Sequence, residues 1–427
     1  MASAPAAEER GYDGRPICLL SAEYPPARGG VGDYTRLLAA ALEADGLSCC
    51  VLTSARSPAP GEEETGVPVF PRVKDWGFSA WRDIASFVRE MRPAVVHIQY
   101  QTAAYRMHPA VNLLPWRLRS LGLRTPVVTT FHDLRPPYLF PKAGAARHLP
   151  AVLLAWASDA VVLVAREHWQ EPPLVWLRRL RPSLGGKTHV IPIGSNIPAA
   201  RPSAYDRVVW RARLGVQPDD LLLAYFGFIN RSKGVDDLLH ATRALVSAGR
   251  RVRVLFVGGA GGASNASDRA WAREVEGLVD KLSLRGLIRW TGYGPATEVA
   301  GHLLAADLCV LPFRDGATFQ RGTLLAALAH GLPVISTRAA SPAPGPVPPH
   351  GWSEEVALRH GENIWLVPPG EPDALAAAIG RLGEDEALRQ TLAQGALRLA
   401  SRLTWEAIAK RHRELYTALW RSVSAGR

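Results

Sequence analysis

The sequence predicts an α/β protein made of two doubly wound parallel-sheet domains. Three observations carry that prediction. Short apolar runs of four to seven residues recur along the chain, helical patterns separate them, and a proline-punctuated stretch divides them into two sets of six. A strand buried on both faces reads as a continuous apolar run, and a parallel neighbour is reached only through a crossover helix.

The first set is Ile17–Ser21, Cys49–Thr53, Val95–Gln99, Val127–Phe131, Ala160–Val164 and His189–Ile193. The break falls at Pro198-Ala199-Ala200-Arg201-Pro202. The second set is Leu221–Gly227, Arg253–Val257, Ile288–Thr291, Leu308–Pro312, Pro333–Thr337 and Ile364–Val367. Helical patterns lie between them at Tyr34–Ala44, Val235–Ala248, Asp268–Leu282 and Thr323–Ala329. Ser341–Pro349 is expected to be a surface loop, because strand–helix alternation resumes after it. A last helix runs from Trp405 to about Trp420, with Trp405, Ile408, His412, Leu415 and Leu419 on one stripe. The expected organisation is a flexible start over 1–14, an N-terminal domain over 15–200, a C-terminal domain over 201–404, and a helix and tail over 405–427. Paired sheets of this kind place a ligand cleft between their carboxyl ends.

Composition bounds the function. The chain has 427 residues, 47% hydrophobic and 21% charged, and its 38 Gly and 34 Pro fall short of low complexity. Disorder throughout, collagen and coiled coil are excluded. Of the 50 basic residues only six are lysines (Lys74, Lys142, Lys187, Lys233, Lys281, Lys410), so each lysine is informative. Residues 1–91 carry 9 basic and 13 acidic groups, residues 92–200 carry 13 and 4, and residues 201–427 carry 28 and 22. The net +9 of the middle stretch suits an anionic partner. Cys18, Cys49, Cys50 and Cys309 show no metal spacing and are expected to be buried free thiols in a reducing compartment. The polar start Met1–Arg15 is not expected to act as a signal peptide, and Leu149–Ala165, broken by Ser158-Asp159, is shorter than the ~20 residues of a membrane span. A cytoplasmic protein is expected.

Three motifs carry chemistry. Arg28-Gly29-Gly30-Val31-Gly32-Asp33-Tyr34-Thr35 follows the first strand and opens a helix. Its glycines admit an anion to the backbone, and the helix start offers free N–H groups. Thr35 at the sixth position breaks the dinucleotide fingerprint, and a tight turn is the alternative reading. Gly227-Phe228-Ile229-Asn230-Arg231-Ser232-Lys233-Gly234 follows the first strand of the second domain, and its two cations suit a diphosphate. In Arg314-Asp315-Gly316-Ala317-Thr318-Phe319-Gln320-Arg321-Gly322-Thr323-Leu324, Gly322-Thr323 begins an apolar helix whose first amides form a second anion site.

With these pieces in place the chain resembles a GT-B glycosyltransferase of family 4, the group 1 glycosyltransferases. The matching segments are EYPPARGGVGDY, VVTTFHD, VIPIGSNI, FGFINRSKG, TGYGP, AADLCVLPF, LLAALAHGLPVIST and HGENIWLVPPGEPDALAAAI, in order over roughly residues 15–420. The resemblance implies two Rossmann-like domains facing a central cleft, with the C-terminal helix crossing back. It implies retaining, metal-independent hexosyl transfer in carbohydrate biosynthesis, from a nucleotide-sugar substrate with no further cofactor. UDP is taken as the default nucleotide, and the acceptor as a glycan, a lipid-linked or a small molecule. Arg231 and Lys233 then match the donor diphosphate cations, and His132 a histidine facing the donor sugar. Gly29, Gly30 and Gly32 match the loop approaching the donor, and Gly322, Thr323 and Leu324 the phosphate-capping helix start.

One departure stands out. The family places two glutamates, separated by seven residues, where this chain has Thr318 and Ala326. Asp315, Gln320 or Arg321 is expected to take over part of their role. Without them donor identity is open, and two alternatives stand: a non-catalytic binding protein of the same shape, or another nucleotide-sugar enzyme such as an epimerase. Arg117, Arg119, Arg124, Arg178 and Arg179, interleaved with apolar residues, are expected to contact an acidic acceptor or an anionic membrane at its inner face. Solvated helix faces are the alternative. No basic-and-aromatic nucleic-acid module is present.

Overall fold

The computed structural model describes residues 12, 14–27, 29–55, 66–134, 136, 141–258, 266–339 and 356–425. Most of the expected flexible start, the expected loop Ser341–Pro349, and Arg28 lie outside the described residues. The chain divides into two compact units. One holds the described residues up to Gly194 and those from Trp405 onward; the other holds those between Ser195 and Thr404.

The first unit carries seven parallel strands, β1 (Ile17–Leu20), β2 (Cys49–Ser54), β3 (Val69–Val73), β4 (Val95–Tyr100), β5 (Val127–Phe131), β6 (Ala160–Leu163) and β7 (Thr188–Val190). Their order in the sheet is β3-β2-β1-β4-β5-β6-β7. Helices α1 (Gly30–Ala44), α2 (Ala80–Met91), α3 (Ala110–Ser120), α4 (Leu149–Ala157) and α5 (Pro172–Leu180) connect them. Every residue of β1, β4, β5 and β6 is buried, and β1 and β6 read as unbroken apolar runs while β4 and β5 carry the buried polar residues His97, Gln99, Thr129 and Thr130.

The second unit begins with α6 (Arg207–Arg213) and carries β8 (Leu221–Phe226), β9 (Val252–Val257), β10 (Ile288–Trp290), β11 (Leu308–Leu311), β12 (Val334–Thr337) and β13 (Trp365–Val367), ordered β10-β9-β8-β11-β12-β13. Its later helices are α7 (Val235–Ser247), α8 (Ala266–Lys281), α9 (Ala296–Ala305), α10 (Gly322–Ala329), α11 (Pro372–Glu384) and α12 (Glu386–Ala400). All strand pairings between the named strands are parallel.

The last helix, α13 (Trp405–Ala425), returns to the first unit and packs on α1. Ile408, Ala409, Leu415 and Tyr416 join the core on that side of the sheet. His97, in β4, bonds Tyr416 Oη through Nδ1 at 2.6 Å and Thr130 Oγ1 through Nε2 at 2.7 Å, so a polar pin fixes this helix to the sheet. The four cysteines are buried and free, as their apolar surroundings predict. No described helix is long and apolar enough to cross a membrane.

In each sheet the strand order reverses once, between β1 and β4 in the first unit and between β8 and β11 in the second. At such a point the two connecting loops diverge to opposite faces and leave a crevice beyond the strands' carboxyl ends, where ligands of open α/β sheets bind. The three motifs leave the sheets there: the glycine loop after β1, Gly227–Gly234 after β8 and Arg314–Thr323 after β11.

Candidate functional site

In the second unit, β8 is followed by Gly227, whose φ of +134° and close approach to Thr323 (a Cβ would lie 3.1 Å from its Cγ2) require a residue without a side chain. Asn230 then caps a single 3₁₀ turn, Arg231–Lys233, accepting from the Ser232 amide at 3.1 Å and its hydroxyl at 2.7 Å. Gly234 closes the turn at φ +63°, and a Cβ there would lie 2.0 Å from the Pro312 carbonyl oxygen. This locks the turn against the loop after β11.

Lys233 and Arg321 come from loops on either side of the strand-order reversal, and both lie against the ring of Phe313. Lys233 Nζ and the Arg321 guanidinium carbon are each 4.8 Å from its centroid. Phe313 is fully buried, so the ring gives the two cations a fixed, low-dielectric support. Arg321 also pairs with Asp315, while its Nε is buried with no hydrogen-bond partner. It is the residue before α10, whose first turn contains no acid. The helix starts of α7, α8, α9 and α11 each carry acids there: Asp236 and Asp237, Asp268, Glu298, and Asp373. A carboxylate in the first turn occupies the positive end of the helix dipole. Among these helices, then, α10 alone keeps its N-terminal amides (Gly322, Thr323, Leu324) for an outside anion. Thr323 Oγ1 beside them is buried and unpartnered.

Arg231 is placed differently. Its Nη2 donates to both carboxylate oxygens of Glu274 in α8, at 2.7 and 2.9 Å, and its guanidinium stacks 4.2 Å from the Trp271 ring centroid. Arg314 pairs with Asp236 at 2.6 Å and Asp237 at 3.0 Å. Thr318 and Gln320 are half-buried, and Ala326 is fully buried on the core side of α10.

In the first unit the three glycines differ. Gly32 packs on backbone, with a Cβ 3.2 Å from the backbone of Glu23 and Tyr24. Gly29 faces the Glu23 carboxylate. Gly30 has nothing within 4 Å of where its Cβ would be, and is the point at which the backbone lies open. His132 follows β5, and its Nε2 lies 3.1 Å from Gln99 Oε1. An amide oxygen only accepts, so Nε2 carries the proton and Nδ1 keeps the lone pair. Burial, with His168 adding to it, lowers the His132 pKa to about 3 and keeps the ring neutral. The ring is held edge-on by Tyr34 at 4.7 Å, which in turn meets Trp405 at 5.4 Å.

The five arginines of the basic stretch lie on α3 and α5 and on the loop after α3, and both helices pack on α4. Arg117 reaches the Trp81 ring at 5.7 Å, Arg119 pairs with Asp159 at 2.9 Å, and Arg178 stacks on Trp169 at 4.3 Å, while Arg124 and Arg179 are exposed. Trp116, Leu149, Trp156 and Leu180 are exposed on the same three helices.

A family model described as glycosyl transferases group 1 matches residues 220–385, and one described as a glycosyl transferase 4-like domain matches residues 29–194. The chain belongs to the group 1 glycosyltransferase family. Among relatives, the D-inositol 3-phosphate glycosyltransferase of Thermomonospora curvata is 31% identical over 217 residues, 50% of this chain and 47% of that one. The corresponding protein of Streptomyces bingchenggensis is 29% identical over 277 residues, 65% of this chain and 56% of that one. The matches thus span about half the length of these curated relatives. Sucrose-phosphate synthase from Thermosynechococcus elongatus superposes with a TM-score of 0.70 at 24% identity, covering 96% of this chain and 100% of that one. Anabaena HepE, solved with UDP and glucose, gives 0.71 at 20% identity, covering 95% and 100%. At these identities the likeness is one of fold, and the fold is the α/β GT-B class with two Rossmann-like domains.

Sequence reasoning did not name Phe313, Trp271, Glu274, Gln99 or Glu23 as site residues. Trp271, Glu274 and Gln99 act on a motif residue more than thirty positions away, as Phe313 does on Lys233, while Glu23 lies on the same loop as Gly29; no spacing rule connects them.

Proposed function

We propose that the protein is a glycosyltransferase that moves a sugar from a nucleotide-sugar donor, UDP-sugar by default, to a hydroxyl of a glycan, lipid-linked or small-molecule acceptor with retention of configuration. The observation that carries this reading is the pair Lys233 and Arg321, supported on Phe313 beside the acid-free start of α10. Two fixed cations and a set of free amides match a diphosphate. They also meet the charge that grows on it as it leaves, which is where preorganised positive groups lower a barrier. Related structures solved with UDP support the default nucleotide.

In the retaining step the acceptor oxygen bonds to the anomeric carbon on the face from which the diphosphate departs. The carbon–oxygen bond to the phosphate breaks, and that phosphate oxygen takes the acceptor's proton. No protein nucleophile is required, so Thr318 and Ala326 do not remove a catalytic group. The positive charge comes from Lys233, Arg321 and, once released from Glu274, Arg231, with no metal in this reading. Neutral His132 is too weak a base to take a proton near pH 7. Its role is to hydrogen-bond a sugar hydroxyl.

The test is thermal shift with UDP, GDP and ADP and their sugars, on the wild type and Lys233→Ala. A rise in melting temperature for one nucleotide, lost in the variant, is expected. No rise with any nucleotide would refute the donor site.

The α3–α4–α5 face favours peripheral contact with an anionic membrane at its inner surface, because exposed Trp116, Leu149, Trp156 and Leu180 lie among arginines. Co-sedimentation with vesicles containing anionic lipid, reduced by Arg117→Ala/Arg119→Ala, is the expected result. Equal binding to neutral vesicles would leave only a solvated face.

A further inference from the structure

The loop between β1 and α1 holds a carboxylate that the donor reading does not use. Glu23 lies three residues beyond β1, and its carbonyl accepts the Ser21 hydroxyl at 2.6 Å, which turns the chain off the strand end. A Cβ on Gly29 would lie 2.3 Å from Glu23 Oε2 and 3.0 Å from its Cδ. Gly29 has an extended backbone (φ −172°) that any residue adopts, so it is the carboxylate lying over it that excludes a side chain.

The carboxylate is half-buried, and burial alone pushes its pKa up. No described residue gives it an ion pair or a hydrogen bond. Burial, with the Glu23 charge adding to it, raises the pKa of Tyr105, whose one O–H is shared between Leu20 O at 3.2 Å and Gln99 O at 3.1 Å near the ends of β1 and β4. The Glu23 oxygens still reach solvent, so at the carboxyl end of β1 this side chain is a half-buried acceptor with no protein donor, open to a bound ligand's donors. An ionised carboxylate only accepts, so a ligand held here must bring donors, and the hydroxyls of the acceptor are the donors that the transfer reading supplies.

We infer that Glu23 receives the acceptor. It accepts hydrogen bonds from hydroxyls of a polyol, a sugar or a cyclitol, and so fixes which hydroxyl is presented for transfer. This rests on the glycosyl-transfer reading and adds no proton step, since the departing phosphate takes the acceptor's proton. Glu23 is therefore a specificity and positioning residue.

The experiment is saturation-transfer NMR with D-glucose, D-mannose and myo-inositol, on protein containing UDP, for the wild type, Glu23→Gln and Glu23→Asp. At least one polyol is expected to bind the wild type, to lose tenfold or more of its affinity in Glu23→Gln, and to regain part of it in Glu23→Asp. UDP titration is expected to be unchanged, and Glu23→Gln to melt at or above the wild type, because an unpaired charge has been removed. No polyol binding to the wild type, or equal binding to Glu23→Gln, overturns the inference. So does a drop in melting temperature accompanied by weaker UDP binding, which would make Glu23 a brace for the glycine loop. Failure of UDP to bind the wild type would instead refute the donor reading.

Discussion

The two sheet edges that carry the motifs are chemically opposite. Beyond β8 and β11 stand four arginine or lysine side chains, Arg231, Lys233, Arg314 and Arg321, and a helix start stripped of acids. Beyond β1 and β5 stand an open glycine backbone, a neutral imidazole and an unpaired carboxylate. The same topology thus serves two tasks. One edge handles phosphate charge, where fixed cations gain most. The other handles hydroxyls, where a cation would compete for the carboxylate and charged histidine would lose its acceptor nitrogen. The contrast predicts that substitutions at the first edge act on the diphosphate and those at the second on sugar and acceptor.

The largest effect is expected at Lys233. Removing one charged donor from a developing anion typically costs ~10²–10³ in rate, so Lys233→Ala should lower kcat/KM for the donor by about that factor. The measurement is steady-state transfer alongside nucleotide titration, and full activity would break the comparison. His132→Ala comes next. Losing a neutral hydrogen bond to a sugar hydroxyl costs about 0.5–1.5 kcal/mol, or roughly 2- to 13-fold in kcat, with nucleotide affinity unchanged. Because the ring is already neutral with a pKa near 3, the activity profile between pH 5 and 8 should carry no titration lost in this variant. A limb near pH 6 that disappears with His132 would contradict its neutral role.

The first unit should also be the acid-sensitive one. His97 and His412 are fully buried, burial holding His97 well below its usual 6.5 and His412 at about 4. The unfolded chain binds these protons below pH 6.5 while the folded one does not. Stability is therefore complete above that pH and falls as pH drops from 6.5 toward 4, by roughly 1.4 kcal/mol per pH unit for each group. Urea unfolding at pH 7.5 and 5.0 checks this. His412→Leu, which leaves the helix backbone intact, should flatten the slope by about one such group.

How much of this was legible varies with how local the cause is. Buried central strands announce themselves as apolar runs, so twelve of the thirteen strands were expected close to where they lie. The missed one, β3 (Val-Phe-Pro-Arg-Val), is an edge strand, half-exposed and containing Pro71, and its pattern is neither continuous nor alternating. The break expected at 198–202 compares with a division between Gly194 and Ser195, because prolines mark an extended chain rather than the point where packing changes partner. In the site, Lys233 stood out because a lysine is rare in this chain and that is a local signal. The support of Lys233 on Phe313 and the contact of Tyr34 with Trp405 join residues 80 and 371 positions apart, and only the folded sheet order brings them together.

The smallest effect sharpens the comparison most, because it concerns a cation that is present but engaged. Arg231 was expected to serve the diphosphate, yet it is held by Glu274 and Trp271 on α8. Both ion-pair partners are more than half exposed, at 66% and 52%, and an exposed pair is worth about 0–1 kcal/mol. A diphosphate carrying more charge than one carboxylate should therefore draw the guanidinium away at little cost. Glu274→Gln removes the competitor and leaves Trp271 in place. Donor affinity should then rise by at most about fivefold, the ratio that 1 kcal/mol allows, and the gain should shrink at high salt as the exposed charges are screened. In Arg231→Ala the same substitution should do nothing. A gain that persists without Arg231 would mean that Glu274 repels the donor directly, and the cationic edge would then be set by three side chains rather than four.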